Sequence, residues 1–347
     1  MIVSPVIRRA IGMLWAAACL SALPGSGEAA DAPASSFAGK QMTLAVPAQP
    51  GSGYDSYARS IVRILPKHLP GSPVIVVQNM PGAGGMRLAN YLYNVAPKDG
   101  LALGMLENGT PFEPFYENHQ VQFDPAKFNW LGSPSRETSR FLLWHSVPVS
   151  TIAEARGREL VLAAAGSGSG GAFYARLLGS IFGLNVHLVE GYAGFPEALL
   201  AMERGENDGY PSGFWSTLKS IHQNWIDSGQ IKFLLRWNSD PNPALSAVPT
   251  ARDLVDKVED RQVLQVATAP FSLGRPIAAP PGVPADRLRQ LRDAMQATFA
   301  DPAFREDCAR QHLDCEAPVT GEQLAEIIRA AYVVPDAVHR RLIAIHE

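Results

Sequence analysis

Short continuous apolar runs occupy residues 42–46, 73–77 and 101–106 of this chain, and amphipathic stretches of helical period fill 54–65 and 84–95 between them. Runs too short for helices and without alternation predict strands buried on both faces. Such strands separated by helices predict a parallel sheet covered on both sides. A second block repeats the rhythm, with strand-like segments at 141–144, 159–164, 186–189 and 231–235 and helices at 172–182 and 196–204. The proline-rich segment 276–284, whose rings fix φ, then leads into helices at 285–299, 303–311 and 321–331. The pattern is that of an α/β protein with two lobes around a cleft.

Two glycine-rich loops interrupt the first block at strand-to-helix junctions: Gln49-Pro50-Gly51-Ser52-Gly53-Tyr54-Asp55 and Asn79-Met80-Pro81-Gly82-Ala83-Gly84-Gly85. Glycine admits a ligand close to the backbone, and the first turn of the following helix presents N–H groups that lack intrahelical partners. With the positive end of the helix dipole, each loop forms a cradle for a carboxylate or phosphate. In open α/β sheets, ligands bind at the carboxyl ends of the strands, where both loops fall. Asp55 reads as a helix N-cap in preference to a general base, and Ser52, Ser167 and Ser169 as capping residues or hydroxyl donors to an anion.

The first thirty residues differ from the rest. Arg8-Arg9, an apolar run over 11–20 and small residues up to Ala29-Ala30 form a secretory signal peptide with cleavage near Ala29 or Ala30. The expected product is an exported protein. A net charge of −3 gives no bulk attraction for nucleic acid, so any anion affinity must be local. Past the leader, Cys308 and Cys315 remain; an oxidising compartment permits a disulfide between them, and two partly buried thiols are the other reading.

Catalytic and cofactor motifs do not assemble. Gly166-Ser167-Gly168-Ser169-Gly170-Gly171 satisfies the spacing G-x-G-x-x-G, with Glu190 downstream, but an exported protein has no supply of nicotinamide cofactor. Met86-Arg87 stands where a phosphate-binding P-loop requires Lys followed by Ser or Thr. Histidines never recur at i, i+4, and no Gly-x-Ser-x-Gly elbow is present. No cofactor, metal or catalytic residue is expected.

Several runs together resemble one family. They are Gly51-Ser52-Gly53-Tyr54-Asp55, Val76-Val77-Gln78-Asn79-Met80-Pro81-Gly82-Ala83-Gly84-Gly85, Ala96-Pro97-Lys98-Asp99-Gly100, Phe128-Asn129-Trp130-Leu131-Gly132 and Ala279-Pro280-Pro281-Gly282-Val283-Pro284. Their register, from about residue 40 to the C-terminus, is similar to that of the Bug (TctC-like) proteins, the periplasmic solute receptors of tripartite tricarboxylate transporters. The resemblance implies a type II periplasmic-binding-protein fold, with lobe 1 formed by 31–140 plus 270–347 and lobe 2 by 141–269. It implies capture of a small organic acid between the lobes and delivery to the membrane subunits of a transporter, by a monomeric, non-enzymatic protein of the periplasm. A ligand-sensing partner of a membrane sensor kinase is the alternative, and an exported hydrolase a weaker one.

Carried over by motif, the resemblance places a ligand carboxylate between Gly51, Ser52, Gly53 and Tyr54 on one side and Gly82, Ala83 and Gly84 on the other. Thr110 is a lateral contact. Gly168, Ser169, Tyr192, Ala193 and Gly194 face the distal end of the ligand. Many relatives carry Thr where Tyr54 stands and Gly where Ser52 stands. Phe195, Tyr210, Phe214 and Trp215 fall in the cleft segment of the second lobe; some of them facing the ligand would favour an apolar or aromatic acid, and packing within the lobe is the other reading for the rest.

Overall fold

From Gln41 to Met105 the chain alternates strand and helix: β1 (Gln41–Val46), α1 (Gly53–His68), β2 (Val74–Asn79), α2 (Met86–Asn94) and β3 (Ala102–Met105). The computed structural model describes residues 36–166, 169–239 and 246–347. The leader expected at 1–30 lies outside these residues. In β1 the side chains of Met42, Leu44, Ala45 and Val46 are all buried: Met42, Leu44 and Val46 join the core cluster of α1, and Ala45, on the opposite face, joins that of Met86, Leu88 and Leu92 of α2. Strand β2 lies at the sheet edge and alternates: Ile75 is buried, whereas Val74 and Val76 are exposed.

Two sheets organise the described chain. The first runs β11–β4–β10–β3–β1–β2, where β4 is Asn129–Ser133, β10 is Ile277–Ala279 and β11 is Val319–Thr320. The second runs β7–β6–β8–β5–β9, formed by β5 (Ser139–Trp144), β6 (Glu159–Ala163), β7 (Asn185–Val189), β8 (Gly209–Phe214) and β9 (Ile231–Arg236). Helices α3 (Ile152–Ala155), α4 (Gly170–Phe182), α5 (Phe195–Glu203) and α6 (Trp215–Asp227) connect strands of the second sheet.

Neither sheet is wholly parallel, as the strand-and-helix rhythm had predicted. Strands β1, β2 and β3 are parallel, as are β6, β7 and β8, but β10 runs antiparallel between β3 and β4, and β5 antiparallel between β8 and β9. The reason is the path of the chain. It enters the second sheet through β5 and returns to the first through β10, so each sheet contains one strand that crosses from the other.

The crossing segments are tied to each other. Glu137 N–H donates to Phe271 O at 2.9 Å, and Arg275 N–H to the Ser133 hydroxyl at 2.9 Å. The return to β10 begins with α7 (Val258–Leu273), and α8 (Ala285–Ala300), α9 (Pro302–Arg310), α10 (Gly321–Ala331) and α11 (Asp336–His346) follow it. Helix α8 covers α1 and β4, whereas α11 packs on α4 and α7. A disulfide joins Cys308, late in α9, to Cys315, and both are buried.

Candidate ligand-binding site

Because β3, β1 and β2 are neighbours in that order, the loops after them emerge side by side at the carboxyl end of the sheet. Side chains link the three loops. Asn79 Nδ2 donates to Ala48 O at 2.9 Å and to Asp55 Oδ1 at 3.0 Å, joining the second loop to the first. Asn108 N–H donates to the Tyr54 hydroxyl at 3.1 Å, and the Thr110 hydroxyl lies 3.5 Å from Gly84 O. The third loop is thereby fastened to both glycine loops.

Asp55 does not cap α1. Ser52 is the N-cap, its Oγ accepting from Asp55 N–H, while the Asp55 carboxylate accepts from Gly51 N–H at 2.9 Å and from Arg59. An oxygen three residues into the helix thus closes the glycine loop from behind, the logic of a capping box. The Arg59 hydrogen bonds hold the Asp55 carboxyl down at about 2. In the second loop, Gly85 has φ +91°, and a Cβ there would sit 2.8 Å from both Glu107 Cβ and Thr110 Oγ1. Only glycine permits this approach of loop two to loop three.

A cavity of about 370 Å³ opens where the second and third of these loops meet the second sheet. The first-sheet side supplies Gly84, Glu107, Asn108, Gly109, Thr110, Phe112, Glu113 and Tyr116. Across from them are the start of α4 (Ser169, Gly170, Gly171, Phe173, Tyr174), Phe195 at the start of α5, and Tyr210, Ser212 and Phe214 of β8. Ala267, Pro270 and Phe271 of α7 and His346 of α11 complete the wall. The volume suits a small ligand, and the mixture of apolar walls with a few polar groups is what such sites require.

The sequence-derived residues divide into three groups. Gly84, Thr110 and Ser169 line the cavity. Gly51, Gly53, Gly82 and Ala83 are exposed on their loops outside the wall, Ser52 caps α1, and Tyr54 is buried behind Asn108. Tyr192, Ala193 and Gly194 also lie outside the wall. Ala193 N–H is taken by the Glu197 carboxylate, Tyr192 packs on the aromatic cluster of the second sheet, and the next residue, Phe195, faces the cavity instead. Gly168 and Ser167 lie outside the described residues. Of the four aromatic residues in the cleft segment, Phe195, Tyr210 and Phe214 line the cavity, whereas Trp215 packs beneath Arg140, whose guanidinium carbon is 4.2 Å from its ring centroid.

Glu107 and Asn108 were not singled out from the sequence, although they directly follow the third strand, where ligands of such sheets bind. Glu107 is half-buried, and burial raises its carboxyl to about 7 against the opposing pull of Arg275 and the Tyr54 hydroxyl. Burial also raises the Tyr210 phenol to about 12 and lowers the His346 imidazole. On the donor side, Ser169 caps α4, accepting from Ala172 N–H, so the positive end of a thirteen-residue helix opens on the cavity.

Comparison with known proteins assigns this arrangement. A family model described as tripartite tricarboxylate transporter family receptor matches residues 58–333. The chain belongs to this receptor family. It is a solute receptor and not an enzyme. A Cupriavidus necator protein described as UPF0065 protein in gbd 5′ region is 24% identical to this receptor over 313 residues, spanning 88% of this chain and 87% of its own.

Among solved structures, a TctC solute binding protein from Polaromonas without ligand superposes with a TM-score of 0.65 at 18% identity, covering 88% of this chain and 98% of its own. MatC from Rhodopseudomonas palustris, solved with bound malate, gives a TM-score of 0.64 at 21% identity, covering 88% and 99%. At such identities the likeness is one of fold: the receptor has the two-lobed architecture of periplasmic binding proteins. Among its described residues, no helix is long and apolar enough to cross a membrane, and no group of three or more His, Cys, Asp or Glu residues is placed to hold a metal ion.

Proposed function

We propose that the mature protein is a periplasmic receptor that captures a small organic carboxylate between its lobes and hands it to the membrane subunits of a tripartite tricarboxylate transporter. The observation that carries this reading is the cavity itself. The loop after β3 and Gly84 of the second glycine loop, fastened to each other through Thr110–Gly84 and to the first loop through Asn108–Tyr54, line the cavity opposite the N-terminus of α4 from the other sheet. Oriented N–H groups and hydroxyls from both sides hold the carboxylate, each charge-assisted bond contributing about 1.5–3 kcal/mol. Malate bound to the structurally similar MatC supports the same ligand class.

The two lobes are 31–140 plus 270–347 and 141–269, and they close as hinged bodies about the crossing segments. Closure brings the Gly51–Gly53 and Gly82–Ala83 edges, together with Tyr192–Gly194, against the ends of the ligand. The leader at 1–30 directs export, and the receptor acts as a monomer.

A thermal-shift screen of mono-, di- and tricarboxylates, followed by small-angle scattering with and without the best binder, tests the reading. Ligand-induced stabilisation with a smaller radius of gyration is the expected result. Stabilisation by no carboxylate rejects the ligand class, and binding without compaction rejects closure.

A further inference from the structure

The cavity is unusual for an anion site in its charges. Its lining includes two carboxylates, Glu107 and Glu113, and no lysine or arginine among the described residues. Glu113 is engaged by Asn118 Nδ2 at 2.7 Å. Arg275 acts on Glu107 from outside the wall but is committed to Glu137, with which it forms a buried ion pair. A dicarboxylate with both charges in this space would set one of them against Glu107, which must then take up a proton to accommodate it.

Next to this acceptor stands a donor. Asn108 is 6% exposed and lines the cavity, and its Nδ2 is buried with no hydrogen-bond partner among the described residues. A buried amide N–H without a partner is unfavourable until a ligand oxygen meets it. Glu107 retains acceptor capacity beyond the Tyr54 hydroxyl, since a carboxylate has about four lone-pair sites. Adjacent residues therefore offer one donor for an oxyanion and one acceptor for a cationic N–H. Aromatic rings make up much of the remaining wall, with Phe173, Phe195, Phe214 and Phe271 available to a side chain.

Resting on the carboxylate-receptor reading above, we propose that the ligand is a zwitterion, an amino acid with an apolar or aromatic side chain, whose ammonium group sits against Glu107 and whose carboxylate meets Asn108 and the α4 N-terminus. Burial makes the Glu107 carboxylate costly by itself, and a ligand ammonium at hydrogen-bond distance returns it toward the ordinary carboxylate range.

Isothermal titration of the wild-type protein with matched pairs, L-phenylalanine against 3-phenylpropanoate and L-leucine against 4-methylpentanoate, with malate and citrate alongside, tests the proposal. The expected result is that an amino acid binds at least roughly tenfold more tightly than its des-amino twin, and that Glu107→Gln removes most of that ratio. Equal or tighter binding of the twins, tight binding confined to nitrogen-free acids, or a preference unchanged in Glu107→Gln overturns the zwitterion and leaves the carboxylate receptor standing. No binding by any of these acids overturns both. The wild-type pairs decide the matter even where the variant is unstable.

Discussion

Arg275, on the return into the first sheet, donates to the carboxylate of Glu137, on the outward crossing, and both side chains are buried. The Ser216 hydroxyl at the start of α6 (Trp215–Asp227) donates to the same Glu137 oxygen at 2.5 Å. On its other side, the Arg275 guanidinium carbon lies 4.2 Å from the Tyr57 ring centroid and 5.4 Å from that of Tyr54. One cation thus touches both crossing segments and the helix that follows the first glycine loop. Burial lowers the affinity of Arg275 for its proton, but Glu137 and the two phenols more than compensate, so the guanidinium stays charged.

Removing one partner of this pair leaves an uncompensated buried charge. Arg275→Met should lower unfolding free energy by about 3–5 kcal/mol in a denaturant titration. Adding Glu137→Met to it should recover much of the loss. A double variant as unstable as the sum of the single ones would show that the two residues are not energetically coupled.

Asp55 makes stability depend on acid pH. Its native carboxyl is held at about 2, below its unfolded value, so its contribution is complete above the unfolded pKa and disappears as pH falls through the native one. Asp55→Asn should cost about 1–2 kcal/mol at pH 7, after discounting for the exposed Arg59 partner. The difference from wild type should shrink between about pH 4 and pH 2. Melts across that range read the convergence; a constant offset would assign the effect to packing.

The disulfide closes a short loop outside the cavity wall, which neither Cys308 nor Cys315 lines. The chain-entropy account gives about 2–3 kcal/mol for a loop of this length. Cys308→Ala/Cys315→Ala should therefore lose that much stability while leaving ligand affinity unchanged. A fall in affinity without a fall in stability would contradict this.

Gly84 lines the cavity, and the direction its Cβ would take is open space. At φ +57°, Gly84→Leu should destabilise by about 1–2 kcal/mol, leaving the fold intact. Filling the cavity should weaken carboxylate binding by roughly tenfold or more. Unchanged affinity, read by titration calorimetry beside a circular dichroism control, would place the ligand elsewhere.

Elements whose signal is local were legible. The strand at 42–46 and the helix at 172–182 appear within a residue or two of their predicted bounds, since a continuous apolar run or a helical period is decided by neighbours in sequence. Strand β8 was not. Its sequence, Gly209-Tyr210-Pro211-Ser212-Gly213-Phe214, has turn composition, yet it lies centrally between β6 and β5, beside a register shift in β5. Proline is tolerated in a sheet at such irregularities, and here tertiary pairing overrode local propensity. Helix α7 was likewise missed.

The site divides along the same line. The glycine loops announce themselves because backbone freedom and helix N-termini are properties of a few adjacent residues, and Ser52 and Ser169 cap their helices as such loops require. Which loop residues face the ligand space is a matter of packing: Gly84 does, whereas Gly51–Tyr54 and Tyr192–Gly194 stand outside the wall. His346 and Phe271 join Glu107 only because α11 and α7 pack on α4, an association between residues distant in sequence that no local pattern encodes. The charge set that a ligand meets, with Glu107 and Asn108 facing inward and Arg275 held away by Glu137, follows from that long-range packing; the presence of a loop able to hold an anion follows from local chemistry alone.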